Sequence, residues 1–270
     1  MRKLDLKERQ QVLLRLLIQL DEYCSDHSLR YYLGGGTLLG AVRHKGFIPW
    51  DDDVDVYMPR PDFELLIKES EIAPNARVVT SDNAFGYYHP FNFCNITDTE
   101  TVMMEHKIRC QTQKGASIDI FPLDGVPDNE NERKKHLKYL MRWQSVLTAR
   151  IMRLDGPLNI KKAAKTAVRF ISLPMSIKAI IRRIDKTARR YAFDSCRDVT
   201  HCVLLFRSPQ RFIVEREVFC DSVPVEFEGR NFPAPAGWET ILTRSYGDYM
   251  QLPPENERGA HHGTDIYSHI

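Results

Sequence analysis

Two short stretches of this chain carry backbone and side chains suited to phosphate chemistry. Residues 34–40 read GGGTLLG, a glycine-rich turn that should open a short helix. Residues 49–55 read PWDDDVD, an aspartate cluster that enters an apolar strand. Backbone N–H groups at a helix N-terminus bind phosphate oxygens, and carboxylates bind hard divalent cations. The two stretches therefore indicate phosphoryl or nucleotidyl transfer at a site that combines a metal with a phosphate group.

The aspartates are spaced so that two of them share one face of a strand. Residues two apart in a strand point to the same side, which places Asp53 and Asp55 together and turns Val54 and Val56 toward the core. Carboxylates on one face repel one another unless a cation lies among them. We therefore expect Mg²⁺ (or Mn²⁺) there, with Asp51 as a further ligand. The alternative is an acidic cluster that caps a surface turn.

The glycine turn leads into Thr37, which we expect at the N-cap of the helix. A hydroxyl there serves either a phosphate oxygen or the cap, and Gly35 and Gly36 are expected to contact a phosphate. The spacing matches neither the P-loop nor the dinucleotide-binding fingerprint, and three glycines could also form no more than a flexible turn. Arg43 and Lys45 follow, either as phosphate contacts or as a solvated basic loop.

A third carboxylate, Asp119, lies inside the apolar stretch 117–124, which reads SIDIFPLD. A buried carboxylate without a partner is costly, so this side chain needs one. A metal ion would supply it, and so would a role in taking a proton from an acceptor hydroxyl. The alternative is a salt bridge to a core arginine.

Hydrophobic periodicity and turn residues predict a mixture of helices and short strands. The predicted helices span residues 4–27, 37–42, about 61–70, 129–154, 160–172, 176–193 and 237–245. The predicted strands span residues 29–33, 54–58, 77–80, 91–94, 101–105 and 117–121, and the chain from 202 onward is β-like, with a turn at 227–229.

The composition is that of a globular protein, with 270 residues of which 43% are hydrophobic and 27% charged. That excludes a disordered chain. The charged N-terminus contains no signal-peptide core, and no apolar run is long enough to span a bilayer. The six cysteines include no CxxC pair and are expected to be reduced. We therefore expect a cytoplasmic protein, with peripheral contact at the inner face of the membrane as an open question.

The net charge of +2 conceals a strongly basic segment. Residues 161–190 hold ten cations and the single acid Asp185, a local charge of +9, so the rest of the chain carries about −7. Basic amphipathic helices bind anionic membrane surfaces, which would suit a lipid-linked acceptor. The alternative is a helical hairpin packed on the core with a solvated basic face. We expect no nucleic-acid binding, since no basic motif with interleaved aromatic residues is present.

Three stretches together resemble the LicD family. They are residues 35–55, which join the glycine and aspartate motifs, residues 118–124 around Asp119, and residues 246–254, which read YGDYMQLPP. The resemblance extends over about residues 10–262. It implies a nucleotidyltransferase-like fold with a glycine motif after the first strand, an Asp-x-Asp in the second and a third acid in a later strand.

From this resemblance we predict an α+β fold, with a nucleotidyltransferase-like mixed β-sheet core flanked by helices, a helical insertion and a C-terminal part rich in strands and loops. Residues 1–128 would form the core with the metal and phosphate site. Residues 129–195 would form the basic helical insertion, and residues 196–270 would complete the same domain.

The resemblance also implies an activity, the Mg²⁺-dependent transfer of a phospho-alcohol, above all phosphocholine, from a CDP-activated donor. The acceptor would be a hydroxyl of a cell-surface glycan, such as teichoic acid or lipopolysaccharide, or of its lipid-linked precursor. Asp53 and Asp55 would hold the metal, and Asp119 would complete the metal site or act as the base. His261 and His262 would either close over the substrate or form a surface tail.

Two other functions remain open at this point. A glycosyltransferase with an Asp-x-Asp motif would use a nucleotide sugar, and a catalytically silent scaffold on the same fold would bind nucleotide without turnover. The group transferred is also open, since choline, ethanolamine, glycerol and ribitol phosphates present the same diphosphate. An aromatic cage could select choline by cation–π contact. Its candidates are Tyr31, Tyr32, Trp50, Tyr87, Tyr88 and Trp238.

Overall fold

The structure is a computed structural model. It describes residues 1–82, 94–109, 114–154, 159–203, 205, 209–259 and 263–269. The helices are α1 Leu6–Asp26, α2 Gly35–His44, α3 Arg60–Leu66, α4 Glu130–Ile151, α5 Ile160–Ile171, α6 Ile177–Ala188 and α7 Trp238–Tyr246. The strands are β1 Arg2–Lys3, β2 Tyr32–Leu33, β3 Asp55–Pro59, β4 Glu71–Ala73, β5 Ala76–Val79, β6 Cys94–Asp98, β7 Thr101–Glu105, β8 Ser117–Val126, β9 Asp198–Thr200, β10 Val214–Glu215, β11 Ser222–Phe227, β12 Arg230–Pro235 and β13 Thr264–Ser268.

The main sheet is mixed, and β8 lies at its centre. Its principal path runs β10-β9-β8-β6-β5-β4. β3 also pairs with β8, in parallel, and β2 pairs with β3. The first seven residues of β8 pair with β3 and β6, whereas its last three residues pair with β9. Helices flank this sheet, so the fold is α+β, as predicted.

The helix α1 covers the sheet and shows why the sequence folds in this way. Asp5 and Glu8 form a capping box at its N-terminus. Leucines recur on one face, and Leu13, Leu16 and Leu17 are all buried where the helix packs against β6 and β8. Full burial of each such side chain contributes about 1.5–3 kcal/mol. Apolar burial on this face therefore fixes α1 over the strands that carry the site.

A buried ion pair links the sheet to the helices beside it. The Arg60 guanidinium donates two hydrogen bonds to the Asp124 carboxylate, at 2.7 and 2.6 Å. Asp185 of α6 lies 3.3 Å from the same guanidinium. Removal of one partner from such a buried pair typically costs about 3–5 kcal/mol. This contact therefore holds α3, β8 and α6 together near the centre of the fold.

Several predicted boundaries were wrong. The helix α2 begins at Gly35 instead of Thr37, because Gly35 adopts φ +46°, where glycine is favoured, and opens the helix. The helix α3 ends at Leu66 instead of about residue 70, because residues 71–73 form β4 and pair with β5. The helix predicted at 176–193 ends at Ala188, and a short 3₁₀ turn follows at Phe193–Ser195. The strand predicted at 91–94 begins at Cys94 in the structure, and 91–93 lie outside the described residues.

The chain termini are joined by strands that the periodicity did not predict. β1 and β7 flank β13 in a small antiparallel sheet, so the two ends of the described chain lie side by side. β9 and β10, from the C-terminal part, extend the main sheet beyond β8. The division into a core, a helical insertion and a C-terminal part stays a prediction. Among the described helices, none combines the length and the apolar character that a membrane crossing requires.

Candidate active site

Two neighbouring parallel strands bring two of the predicted acidic residues together. Asp55 begins β3 and lies directly opposite Asp119 of β8 in the strand register. The Asp119 N–H donates to the carbonyl of Val54 at 2.9 Å. Residues opposite each other in adjacent strands point to the same face, and adjacent strands lie about 4.8 Å apart. The sheet itself therefore sets the spacing of these two carboxylates.

The glycine turn is attached to the same strand. The Gly34 N–H donates to the carbonyl of Asp55, and the Thr37 hydroxyl accepts from the Asp55 N–H, each at 2.9 Å. Thr37 is buried in the first turn of α2, so its predicted role as the N-cap was wrong, and Gly34 occupies that position. The hydroxyl of Thr37 instead joins the N-terminus of α2 to the first residue of β3.

The glycines are required because carboxylates lie where side chains would begin. A Cβ atom added at Gly35 would overlap the Asp55 carboxylate. One added at Gly36 would lie 2.8 Å from Oδ2 of Asp51, closer than real Cβ atoms approach. The start of α2 therefore lies directly against the aspartates. N–H groups in the first turn of a helix have no partner within the helix, so the start of α2 and the carboxylates can serve one ligand, a metal with a phosphate.

The aspartate cluster is compact and strongly repulsive. One carboxylate oxygen from each of Asp51, Asp52 and Asp53 lies within 4.8 Å of the others. Burial, together with repulsion from Asp53, raises the pKa of Asp51 to about 7. Asp52 is buried and forms an ion pair with Arg9 at 2.9 Å. The cluster thus contains one carboxylate, Asp52, that is paired with a cation inside the protein, and one, Asp51, that burial and repulsion make harder to ionise.

Arg9 provides part of the positive charge of the site. Its guanidinium is buried, and burial lowers its pKa, against the influence of Asp52, Asp53, Asp51 and Asp119. All four carboxylates are therefore near enough to act on the same arginine. Arg9 lies on the buried face of α1. Sequence reasoning missed this residue, although its spacing from Leu13 and Leu16 places an arginine on the apolar face of a helix, which is itself a signal.

Asp119 is held by a buried polar chain that sequence reasoning also missed. The side-chain amide of Asn95 in β6 donates a hydrogen bond to the Asp119 carboxylate. The Lys114 ammonium donates to the side-chain amide oxygen Oδ1 of Asn95 at 3.1 Å, and the Glu105 carboxylate lies 3.8 Å from the same ammonium. The amide group and the ammonium are both buried. Asn95 lies within β6 and Lys114 lies just before β8. Nothing in the sequence near either residue indicated this contact.

The acid of this strand that meets a core arginine is Asp124, through Arg60. The Asn95 amide is one partner of Asp119 and orients its carboxylate. Arg9 lies near enough for Asp119 to raise its pKa. Half-buried Asp119 sits beside the acidic cluster, consistent with either predicted role, metal ligand or base.

A cleft of about 1050 Å³ opens in front of the glycine turn and the aspartates. Asp51, Asp53 and Asp55 line it together, which confirms that Asp53 and Asp55 face the same side, while Val54 and Val56 are buried. The far wall is the C-terminal stretch. The other lining residues that matter for recognition are Gly36, Arg43, Trp50, Tyr246, Asp248, Tyr249, Asn256 and Arg258.

Arg43 reaches the cleft and also holds its far wall. Its Nη1 donates to the carbonyls of Tyr249 and Gln251, at 2.9 and 3.3 Å. Burial lowers its pKa, although not enough to neutralise an arginine. Lys45, also predicted as a phosphate contact, is exposed at the opposite end of α2 and lies outside the group of described residues that line the cleft. His261 and His262 lie outside the described residues.

The predicted aromatic candidates separate clearly. Tyr31 and Tyr32 are buried in the core, where their hydroxyls donate to Asp21 and to the Phe219 carbonyl, each at 2.6 Å, so neither can form a cage. Trp50 lines the cleft, with the Arg258 guanidinium 5.5 Å from its ring centre. Trp238 packs against a cleft tyrosine, and Tyr87 and Tyr88 lie outside the described residues.

Two tyrosines of the cleft were not predicted individually, although both lie in the motif 246–254. Desolvation raises the pKa of Tyr246, and the nearby carboxylates of Asp55, Asp51 and Asp53 raise it further. Its hydroxyl therefore stays protonated and can donate a hydrogen bond beside the acidic cluster. Tyr249 stacks edge-on with Trp238 at 6.3 Å between ring centres. The cleft thus has an acidic end at the aspartates and an aromatic wall.

The donor set fits a hard divalent cation. Asp51, Asp53 and Asp55 supply only oxygen ligands, and they lie beside the N-terminus of a helix. The repulsion that raises the pKa of Asp51 is the effect a bound cation would relieve. Carboxylates on one side of the metal leave its other positions for water and phosphate oxygens, as Mg²⁺ prefers. The arrangement can therefore bind a metal and a diphosphate together.

Comparison with known proteins agrees with this geometry. A family model described as LicD/FKTN/FKRP, nucleotidyltransferase domain, matches residues 28–146. That span contains the glycine turn, the aspartate cluster and Asp119. Lipopolysaccharide cholinephosphotransferase LicD of Haemophilus influenzae is 32% identical over 273 residues, and the match covers 99% of this chain and 99% of that protein.

Two shorter similarities involve more distant proteins. An uncharacterized protein of Rickettsia prowazekii is 42% identical over 117 residues, which cover 43% of this chain and 41% of that protein. Ribitol 5-phosphate transferase FKRP of Homo sapiens is 64% identical over 28 residues, which cover 10% of this chain and 6% of that protein. Of these three similarities, the one to the Haemophilus protein extends over nearly the full length of both chains.

Proposed function

Because this chain belongs to the LicD family and is a phosphotransferase, we propose that the group it transfers is phosphocholine. The proposed donor is CDP-choline. The proposed acceptor is a hydroxyl group of lipopolysaccharide, or of another cell-surface glycan or its lipid-linked precursor. The full-length similarity to a protein named for phosphocholine transfer and for lipopolysaccharide supports this choice.

The observation that carries the proposal is the meeting of three features at one end of the cleft. The N-terminus of α2 lies there, Asp53 and Asp55 line the wall, and Asp119 stands beside Asp55 in the next strand. A nucleoside diphosphate is a ligand with two phosphates, and this end of the cleft offers backbone N–H groups and a place for a metal. The remaining cleft volume would receive the alcohol and the acceptor hydroxyl.

In the proposed site Asp53 and Asp55 would hold Mg²⁺, with Asp51 beside them. When bound there, the ion would neutralise charge on the diphosphate and on the departing nucleotide. The Gly36 N–H would orient a phosphate oxygen, since its backbone lines the cleft at the start of α2. Arg43 would add a charge-assisted hydrogen bond from the opposite side.

The chemical step is a substitution at phosphorus. The oxygen of the acceptor hydroxyl forms a bond to the β-phosphorus of CDP-choline, and the bond from that phosphorus to the bridging oxygen breaks. CMP leaves with the bonding electrons, and phosphocholine is joined to the glycan. The proton of the hydroxyl passes to Asp119 where that carboxylate is the base, and to solvent where it holds the metal instead. Asn95 holds Asp119 in position for either role.

Selection of choline would fall to the aromatic wall. A trimethylammonium group is attracted to the faces of tryptophan and tyrosine rings, and Trp50, Tyr246 and Tyr249 line the cleft. The Arg258 guanidinium lies 5.5 Å from the centre of the Trp50 ring, and this contact supports a role for the ring in binding a cation. A glycerol or ribitol group, which carries no charge, would gain nothing comparable from the same wall.

The test is a product assay with a set of donors. The protein and Mg²⁺ are incubated with lipopolysaccharide that lacks phosphocholine, and with CDP-choline, CDP-ethanolamine, CDP-glycerol, CDP-ribitol or UDP-glucose in turn. CMP release and the mass of the glycan are measured. We expect CMP release and the mass of one added phosphocholine with CDP-choline. Transfer from another CDP-alcohol would show that the donor is not CDP-choline. Transfer from UDP-glucose alone would establish a glycosyltransferase. Binding of a nucleotide without turnover would establish a silent scaffold.

A matched pair of variants tests the aromatic wall. Trp50→Leu should raise KM for CDP-choline several-fold, since a cation–π contact contributes about 0.5–2 kcal/mol. Trp143→Leu is the control, because Trp143 lies on α4 under Arg183 and away from the residues that line the cleft. If both variants change KM for CDP-choline equally, or if Trp50→Leu leaves it unchanged, the Trp50 ring does not recognise choline.

A further inference from the structure

The helix α5 presents its apolar side to solvent. All twelve of its residues are described, and none of them is buried. Its least exposed positions, Lys162, Thr166 and Arg169, follow the spacing of one helix face, so this polar face is the one turned toward the protein. Ile160 is 90% exposed and Ile171 is 81% exposed. A surface helix of a globular protein normally has the opposite orientation.

The orientation is fixed by hydrogen bonds to the end of α4. Arg169 donates to the carbonyls of Ala149 and Met152, at 2.7 and 2.6 Å. In return, Arg150 of α4 donates to the carbonyls of Ser172 and Met175, at 2.5 and 2.7 Å. These contacts satisfy carbonyl groups at two helix ends. Rotation of α5 to bury its apolar side would break them.

Exposed apolar residues recur along this side of the helix and just beyond it, and we call them the α5 face. Small residues run along its centre, at Ala163, Ala164 and Ala167. Larger side chains lie toward both ends of the helix and just beyond it, with Phe170 65% exposed and Leu173 53% exposed. The members of the α5 face are Ile160, Ala163, Ala164, Ala167, Phe170, Ile171 and Leu173. Exposed patches of this kind mark sites of interaction with membranes or proteins.

The neighbouring helix α6 supplies the charge and has the ordinary orientation. Ile180, Ile181 and Ile184 are buried against the core, as the hairpin alternative predicted for the whole segment. Lys178 and Arg182 are exposed on its other side. A basic groove between α4 and α6 lies beside them, lined by Lys135, Arg182, Arg183, Lys186 and Arg190, with the acid Glu132 at its edge. The hairpin alternative is therefore correct for α6 and wrong for α5.

We propose that the α5 face inserts into the interfacial region of an anionic bilayer, while the cations of α6 bind lipid headgroups. The segment carries a charge of +9 between Lys161 and Arg190, which complements anionic lipid and repels a second copy of the same surface. Amphipathic helices with apolar and basic sides bind membranes in this way. The proposal does not rest on the chemistry of the cleft, and it places the protein where a lipid-linked acceptor would be found.

The test is flotation with lipid vesicles. Vesicles of phosphatidylcholine alone are compared with vesicles that also contain phosphatidylglycerol, at low and high salt. We expect the protein to float with the anionic vesicles at low salt and to be released by high salt. The double variant Phe170→Ser/Ile171→Ser should bind at least about tenfold more weakly, since it removes two large apolar side chains from the interface. Its melting temperature should match that of the wild type, because both side chains are exposed.

Leu65→Ser is the control variant, because Leu65 is 50% exposed on α3 and does not belong to the α5 face. It should bind vesicles as the wild type does. Absence of binding to anionic vesicles, or equal binding by the double variant, would overturn the proposal. Sedimentation velocity tests whether a second copy of the chain binds the α5 face instead. A dimer that is present in the wild type and lost in the double variant would assign the face to that second copy. The wild type and the double variant should modify a soluble acceptor equally. Failure of membrane binding can therefore be distinguished from failure of the proposed transfer activity.

Discussion

Asp55 and Asp119 stand opposite each other in adjacent parallel strands, the first acid of β3 against an acid in the first half of β8. Sixty-four positions separate them in sequence, and one strand spacing separates them in the sheet. Thr37 joins the N-terminus of α2 to the same residue of β3. The pairing of two strands therefore assembles carboxylates, helix N-terminus and cleft in one place.

Asn95 is a positioning residue for Asp119, so its replacement should impair turnover more than donor binding. Asn95→Leu removes the amide that donates to the carboxylate and the oxygen that accepts from Lys114. We expect kcat to fall about tenfold to a hundredfold, since small misplacements of a reacting group have effects of this size. KM for the donor should change little. Steady-state kinetics across a pH series measure both quantities and the pH profile.

The control for Asn95→Leu is Asn231→Leu, an exposed position in the hairpin of β11 and β12. Loss of a buried hydrogen bond also destabilises, by about 1–3 kcal/mol, so the melting temperature is measured to ensure that the assay temperature lies below it. An Asn95→Leu enzyme with wild-type kcat and pH profile would show that the amide has a structural role alone.

Gly35 and Gly229 share a positive φ but differ in the space around them, so they form a matched pair for alanine substitution. Both have positive φ, +46° and +75°, so alanine strains the backbone at either position by about 1–2 kcal/mol. A Cβ at Gly35 would overlap the Asp55 carboxylate, whereas one at Gly229 would meet no atom within 4 Å. We expect Gly35→Ala to lower transfer activity at least about a hundredfold and Gly229→Ala to leave it unchanged. Equal activities in the two variants would argue against the glycine turn as part of the site.

The lowered pKa of His136 predicts that the folded protein loses stability as the pH falls. Burial, and to a lesser degree the nearby Arg190, lower the pKa of His136 to about 4. The unfolded chain binds this proton near pH 6.5, so the unfolded state holds more protons between these two pH values. Stability from this group is therefore complete above about pH 6.5 and is lost as the pH falls toward 4. Melting temperatures of the wild type should decline over that interval.

The matching variant is His136→Gln, which has no titrating group at this position. Its melting temperature should be lower at neutral pH and should decline less steeply as the pH falls. An unchanged slope would mean that His136 does not contribute to the acid sensitivity of the fold.

The parts of the fold that could be predicted from sequence are those fixed by local patterns. The leucine periodicity of α1 and the alternation around Asp53 and Asp55 depend on residues a few positions apart, and both were confirmed. Asp119 was identified as an acid in an apolar strand that needs a partner. These inferences hold because a helix or strand places nearby residues by its own geometry.

Contacts between distant segments could not be predicted in this way. Lys114 and Asn95 meet through a pairing of β6 with β8, and no local pattern encodes that register. The ends of the chain meet through β1 and β13 for the same reason. Periodicity also indicated that α5 has two unlike sides, but it could not decide which side faces the protein. Hydrogen bonds from Arg169 and Arg150 decide that.

The central claim is that Asp53 and Asp55 bind the metal that holds the donor. The most direct test is a thermal shift with Mg²⁺ and CDP-choline on the wild type and on Asp53→Asn/Asp55→Asn. Asp82→Asn is the control, an exposed acid outside the cleft. A ligand at a hundred times its Kd stabilises the folded state by about 2.7 kcal/mol. The account predicts a Mg²⁺-dependent rise in Tm for the wild type and control and none for the double variant, whereas an undiminished rise in the double variant would contradict it.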